Sequence, residues 1–381
     1  MSAPTQALCV LLLSLSLAFA QSKPRARDLG VAFEGTPGPL NAITDVAGVE
    51  VGHTTLISGP SVRTGVTAIL PRGKESKDPA FAAWFTLNGN GEMTGTTWVE
   101  ESGFLEGPVM ITNTHSVGVV RDAVVSWSVK HGKSFQPWSL PVVAETWDGY
   151  LNDINGFHVK PEHAIEALDK ASAGPVAEGA VGGGTGMICF EFKGGIGTAS
   201  RAVEDKLGRY TLGVLVQTNF GVRKQLRIAG VPVGLEIPDN AFRSALGGSP
   251  EEVGSIIIVV ATDAPLLPHQ LKRLARRASL GLGRVGSISG NGSGDIFIAF
   301  SAANADAANP AQLARLSMVP NDQIGPLFEA TVQATEEAII NALVAAETMT
   351  GFENHKVIAL PHDRLREVLR KYNRLAEAGG R

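Results

Sequence analysis

Only two cysteines occur among the 381 residues, Cys9 and Cys189. Cys9 falls in an uncharged apolar run, Ala7 to Ala20 (ALCVLLLSLSLAFA), that closes on Ala18-Phe19-Ala20 and is followed by Gln21-Ser22. A small-x-small triplet after a short apolar stretch is what a signal peptidase reads, and the run is shorter than the ~20 residues of a membrane span. Its positive charge comes from the terminal amine alone, because no Lys or Arg precedes it. The sequence therefore predicts residues 1–20 as a signal peptide and a periplasmic or secreted product. Cys189 then stands alone, which excludes an intramolecular disulfide. No later run is long and apolar enough to span a bilayer, so no membrane association is expected after processing. The eight histidines are scattered, with no His-Glu-x-x-His and no Cys-x-x-Cys, which excludes the usual tight zinc sites. Neither a metal nor an organic cofactor is expected. A net charge of −4 and a pI near 6.1 leave no electrostatic footprint for nucleic acid.

About 360 residues remain without the signal, enough for one large layered domain or two ordinary ones. No internal repeat or low-complexity linker divides them. Strand-like runs bounded by Gly, Pro or Asn recur at residues 48–57, 65–70, 108–112, 141–145, 211–217, 255–261, 295–301 and 356–360. Helical spacing covers 117–131, 161–171, 266–280, 325–347 and 363–372, with Leu327, Ala330, Ala334, Ile339 and Leu343 as one apolar stripe. Strands and helices do not alternate strictly. A layered α+β sandwich fits this order better than a doubly wound parallel sheet. The 44 glycines are explained first by turns between short strands.

The densest glycine stretch is Gly281 to Gly294 (GLGRVGSISGNGSG), between a basic helix and an apolar strand. Within it Ser293 lies between Gly292 and Gly294, followed by Asp295. A glycine before the serine leaves the preceding carbonyl unshielded, so the hydroxyl can attack it and cut the Gly292–Ser293 bond. The new N-terminal serine would carry its own base, since a free α-amine has an ordinary pKa of roughly 7.7–8.0. Spacing alone favours a structural turn, because Gly-Ser also occurs at Gly248-Ser249, Gly254-Ser255 and Gly286-Ser287. A phosphate loop is disfavoured: no Gly-x-x-x-x-Gly-Lys-Ser/Thr is present and the glycines precede a strand.

The segment Asn291 to Ser301 (NGSGDIFIAFS) resembles the nucleophile region of the L-aminopeptidase/D-esterase (DmpA-type) and β-peptidyl aminopeptidase family. So do Asn113 to Ala123 (NTHSVGVVRDA), Ala144 to Asp153 (AETWDGYLND), Gln217 to Gly221 (QTNFG), Ala261 to Pro265 (ATDAP) and Ala334 to Ala338 (ATEEA), in order along nearly the whole chain. The resemblance implies a four-layer αββα sandwich and self-cleavage into an α chain (21–292) and a β chain (293–381) that stay together as one domain. It further implies assembly of the αβ units into a homo-oligomer. It makes Ser293 the nucleophile and Asn219 a donor to the oxyanion. Glu145 becomes the carboxylate that holds the substrate's α-ammonium, and Tyr150 a neighbour of the substrate, with Trp147 beside it as pocket lining. Thr335 and Glu337 match a hydroxyl–carboxylate pair that tunes the serine, with threonine here in place of serine. Residues two apart on a helix point about 200° apart, so Glu336 stays open as the alternative carboxylate. His115 lies in a similar motif and reads as structural. The implied activity is release of the N-terminal residue from peptides, amides or esters. Two other readings compete: an acyltransferase of the ornithine acetyltransferase type, and an uncleaved exported binding protein.

Overall fold

The computed structural model describes residues 23–206, 208–239 and 253–376 of the intact chain. The expected signal segment, 1–20, lies outside the described residues.

Two sheets form the centre. One has the order β1 (Glu50–Ser58), β2 (Val62–Leu70), β5 (Val109–Asn113), β6 (Val142–Thr146). The other has the order β4 (Phe104–Leu105), β3 (Ala80–Gly89), β12 (Gly292–Ser301), β11 (Val253–Thr262), β10 (Gly208–Asn219), β9 (Gly195–Asp205). Two short hairpins, β7–β8 (Ile188–Cys189, Phe192–Lys193) and β13–β14 (Met349–Thr350, Lys356–Val357), lie beside them. Side chains alternate across each strand, and the alternation separates three apolar layers. Val51, Ile69, Ile111 and Ala144 of the first sheet meet Leu215, Ile257, Ile298 and Phe300 of the second. The outer face of the second sheet (Val214, Ile258, Phe297) packs under the helices Pro268–Arg284 and Gly325–Ala345. The outer face of the first (Val66, Met110, Val143) packs under Val117–Lys130 and Pro161–Asp169. The layers run helix, sheet, sheet, helix, as the resemblance implied.

Most expected elements are present within a few residues. The run 356–360 shrinks to the two residues of β14, because the next residues bond elsewhere: the Ile358 carbonyl accepts the Lys193 N–H and the Ala359 N–H donates to the Thr348 hydroxyl. Six of the described strands escape sequence reading, the long β3 and β9 and the two-residue β4, β7, β8 and β13, along with the α-helices Thr96–Ser102 and Val233–Glu236. β9 (GIGTASRAVED) is rich in small residues because the 325–345 helix lies directly on it. A Cβ on Gly197 would sit 2.0 Å from the Ala338 carbonyl oxygen. Cys189 is buried and forms no disulfide among the described residues. Among the described residues no helix is long and apolar enough to cross a membrane, and no His/Cys/Asp/Glu group could hold a metal.

β12 sits between β11 (parallel) and β3 (antiparallel), with its first residues at the rim of the sheet. At the same rim, Asn219 of β10 is in register with Ser255 of β11, and Gly254 with Ser293.

Candidate active site

β12 begins in a tight turn, in which the Ser293 N–H donates to the Gly290 carbonyl at 2.9 Å. Ser289 just before it adopts φ 50°, in the left-handed region that non-glycine residues seldom visit. Two asparagines grip the turn from the side. Asn88 Nδ2 donates to the Gly290 carbonyl at 2.5 Å, and Asn90 Nδ2 donates to the Gly292 carbonyl at 2.9 Å. Ser293 is fully buried, and its Oγ donates to Asp295 Oδ1 at 2.7 Å. The two side chains meet because residues two apart on a strand share a face. Gly294 must be glycine, since a Cβ there would lie 2.3 Å from the Asn90 carbonyl oxygen. Its N–H donates to Ser255 Oγ at 3.1 Å.

Asn219 comes to this rim from β10. Its Oδ1 accepts the Ile188 N–H at 2.9 Å, and its Nδ2 donates to the Trp147 carbonyl at 2.8 Å. Glu145 arrives from the other sheet, at the end of β6. Its Oε1 accepts the Glu92 N–H at 2.9 Å, and its Oε2 accepts the Thr114 hydroxyl. A Cβ on Gly91 would lie 3.2 Å from Glu145 Oε1 and 3.2 Å from Gly294 Cα. The carboxylate therefore stands one glycine's width from the residue that follows Ser293. Burial pushes the Glu145 carboxyl above the usual range, while the Thr114 and Glu92 hydrogen bonds pull the other way. No ion pair to Glu145 occurs among the described residues, so its charge has hydrogen-bond donors but no cation.

The segment after Glu145 is anchored by Asp148, which accepts Asn113 Nδ2 at 3.2 Å and Asn152 Nδ2 at 3.1 Å. Burial raises Asp148 to about 6, against hydrogen bonds from Thr64, Asn152 and Asn113. Tyr150 is buried beside Ile188, the residue whose N–H holds Asn219. Its ring stacks on His355 with centroids 4.1 Å apart. The Trp147 side chain is 41% exposed, so its ring faces outward while its carbonyl positions Asn219.

With this geometry established, residues 41–357 match peptidase family S58. The chain belongs to peptidase family S58. It is 59% identical over 373 residues to the β-peptidyl aminopeptidase BapA of Sphingosinicella microcystinivorans, covering 93% of this chain and 94% of that one. It is 50% identical to the β-peptidyl aminopeptidase BapA of Sphingosinicella xenopeptidilytica, covering 95% of each. Among solved structures it is similar to the L-aminopeptidase D-Ala-esterase/amidase of Ochrobactrum anthropi, a variant of the Ntn hydrolase fold. That match has 50% identity and a TM-score of 0.87, and covers 93% of this chain and all of the other. The expectations of an aminopeptidase, and of the layered fold that carries it, agree with these relatives.

Within this S58 enzyme, Gly292, Ser293, Asn219, Glu145 and Trp147 gather at one rim, with Tyr150 one residue's contact away. Thr335 and Glu337 do not join them. Glu337 is fully buried and bonded by two cations and an amide: Arg27 bonds both its oxygens at 2.7 Å, Arg201 lies at 2.8 Å and Asn41 Nδ2 at 2.6 Å. Burial would raise its pKa, but the Arg27 and Arg201 charges hold it below the usual carboxylate range. Arg201 is level, across β10 and β11, with Ser301 at the far end of β12. Thr335 faces elsewhere, where a Cβ on Gly281 would lie 2.6 Å from its own Cβ, and its buried hydroxyl meets no hydrogen-bond partner among the described residues. The expected pairing fails for a helical reason: successive residues rotate by 100°, so these two face different neighbours. The alternative, Glu336, is bonded to Arg284 at 3.0 Å. Sequence reading missed Asn88, Asn90, Thr114, Ser255 and Asp295. The available signals were the Asn-Gly-Asn-Gly run 88–91 and the carboxylate two residues after Ser293.

Proposed function

We propose that this S58 aminopeptidase cuts its own chain at Gly292–Ser293 and then uses the freed Ser293 to release the N-terminal residue of peptides, amides or esters. One observation carries the reading: a fully buried serine opens a central strand while an asparagine N–H holds the carbonyl just before it. A substrate cannot reach a hydroxyl that is buried and engaged with Asp295, so the intact chain is an inactive precursor. Cleavage opens the rim and supplies the α-amine that serves as base for the Ser293 hydroxyl.

The substrate's α-ammonium would pair with Glu145, a buried carboxylate that forms no ion pair among the described residues. The carbonyl carbon next to it is then attacked by Ser293 Oγ, with the second Nδ2 hydrogen of Asn219 directed at the developing oxyanion. Water releases the acyl group. Because the two Sphingosinicella relatives are named β-peptidyl aminopeptidases, an N-terminal β-amino residue is the first substrate class to try. The products of cleavage, 21–292 and 293–381, would stay together, since β12 lies between β3 and β11 of the larger piece. Export on the N-terminal segment and assembly into a homo-oligomer complete the proposal.

N-terminal sequencing and intact mass of the purified protein, beside Ser293→Ala, test it. Two fragments are expected, the smaller beginning Ser-Gly-Asp-Ile, with the variant uncut and inactive. A single intact wild-type chain that hydrolyses peptides, or a cut at Gly286–Ser287, removes Ser293 from this role.

A further inference from the structure

The self-cleavage proposed above must move a proton before Ser293 has a free amine. The base that serves the mature enzyme is, in the precursor, the nitrogen of the bond being broken. Another group has to take the hydroxyl proton, and the pocket around Ser293 contains one. Asp295 Oδ1 accepts the Ser293 hydroxyl at 2.7 Å, with both residues fully buried. Its other oxygen, Oδ2, is buried without a hydrogen-bond partner among the described residues. No ion pair to Asp295 occurs there either. A carboxylate kept for structure would normally be paired or fully hydrogen-bonded, because leaving it otherwise costs stability. On the other side of the bond, Asn90 Nδ2 donates at 2.9 Å to the carbonyl under attack, that of Gly292.

We propose that Asp295 is the proton carrier of self-cleavage and that Asn90 stabilises its oxyanion. This rests on the reading that the chain cuts itself at Gly292–Ser293. Asp295 takes the proton from Ser293 Oγ as Oγ bonds to the Gly292 carbonyl carbon. The carbonyl oxygen gains negative charge against Asn90 Nδ2. The C–N bond then breaks, and the nitrogen of Ser293 takes the proton back from Asp295. An ester joins Gly292 to Oγ, and water hydrolyses it: the hydroxyl of water goes to the Gly292 acyl group and its proton to Oγ. No other reactant is needed. Burial pushes the Asp295 carboxyl above the usual range, against hydrogen bonds from the Ser289 and Ser293 side chains and the Ile256 backbone, which makes its carboxylate a better proton acceptor than an exposed one. In this scheme Asn90 and Asn219 have different tasks at one rim: Asn90 serves the chain's own carbonyl, and Asn219 the substrate's.

The test follows scission of freshly purified full-length chain over time for the wild type, Asp295→Asn, Asp295→Ala and Asn90→Ala, with circular dichroism to select folded material. A proton carrier contributes about 10²–10⁴-fold and an oxyanion donor about 10²–10³-fold. Asp295→Asn and Asn90→Ala precursors should therefore be cut at least about a hundredfold more slowly than wild type. Formate, which fits the space left in Asp295→Ala, should restore scission there and leave Asn90→Ala unchanged. A purely structural role for Asp295 would not respond to a small carboxylate. If Asp295→Asn does not fold, the formate response of Asp295→Ala and the rate of Asn90→Ala decide. Wild-type rates in the aspartate variants, or no response to formate, overturn the assignment to Asp295, and a wild-type rate in Asn90→Ala overturns that to Asn90. A wild-type chain that is never cut at Gly292–Ser293 would instead sink the underlying self-cleavage reading.

Discussion

Glu145→Gln isolates amine recognition from every other part of the proposed mechanism. The change keeps the shape of a side chain that is 3% exposed and lets one oxygen go on accepting a hydrogen bond. What disappears is the negative charge. Removing one partner of a buried, hydrogen-bonded charge pair costs about 2–5 kcal/mol. A value of about 3 kcal/mol, at 1.36 kcal/mol per decade, is a loss of roughly a hundred- to two-hundredfold in kcat/KM. The loss should appear mainly in KM, because the ammonium is held equally in ground and transition states. The assay compares an amino-acid amide bearing a free amine with its N-acetylated form. Wild type should prefer the free amine strongly, whereas the variant should lose most of that preference. The Glu145 carboxylate is bonded to Glu92 and Thr114, whereas the Gly292 carbonyl and the Ser293 hydroxyl are held by Asn90 and Asp295, so scission should proceed normally in the variant. A variant that retains the wild-type ratio between the two substrates would refute the role of Glu145, whatever its absolute rate.

Three further outcomes are expected. The raised pKa of Glu145 makes kcat/KM fall as pH drops through it, since the carboxyl becomes neutral and releases the ammonium; Thr114→Val removes a bond that favours the charged form. That bond is worth about 1.5 kcal/mol, so the acid limb should move up by roughly one pH unit; an unmoved limb would dissociate it from Glu145. Asn219→Ala should lower kcat by about 10²–10³-fold with KM little changed, and a change confined to KM would argue against an oxyanion donor. Glu337→Gln should destabilise the fold by about 3–5 kcal/mol, because it leaves Arg201, 1% exposed, without its full counter-charge. Urea unfolding would report that loss, while a tenfold fall in kcat at unchanged stability would return Glu337 to the active site.

How much of this was legible in the sequence depended on how far each residue's partners lie along the chain. The Gly-Ser-Gly motif could be read because its turn is local: the Ser293 N–H closes on the Gly290 carbonyl three residues back. The 325–345 helix was visible from its apolar stripe, yet the task of Glu337 was not. Its partners Arg27, Asn41 and Arg201 lie between 136 and 310 positions away, and no periodicity shows such a charge cluster. Asn90 was hidden for a related reason. It follows β3, whose alanine-rich start gives a weak strand signal, so nothing marked the residue after it as part of a site. Family resemblance supplied Asn219 and Glu145, which composition alone would have left as a turn residue and a surface carboxylate.

The spread of these partners also bears on when the chain could cut itself. On the proposed reading, scission needs Asn90 from beyond β3, Asp295 from β12 and the Ser255 hydroxyl that fixes Gly294 from β11. Asn90 is about two hundred residues from the bond it polarises. An unfolded chain holds none of these groups together, and closing a loop of that length costs entropy that only the packed sandwich offsets. The Gly292–Ser293 bond would therefore be stable during synthesis and any passage across a membrane, and become labile only once both sheets have met. Cleavage would then report completed folding, and the order of events would follow from the register of β3, β11 and β12.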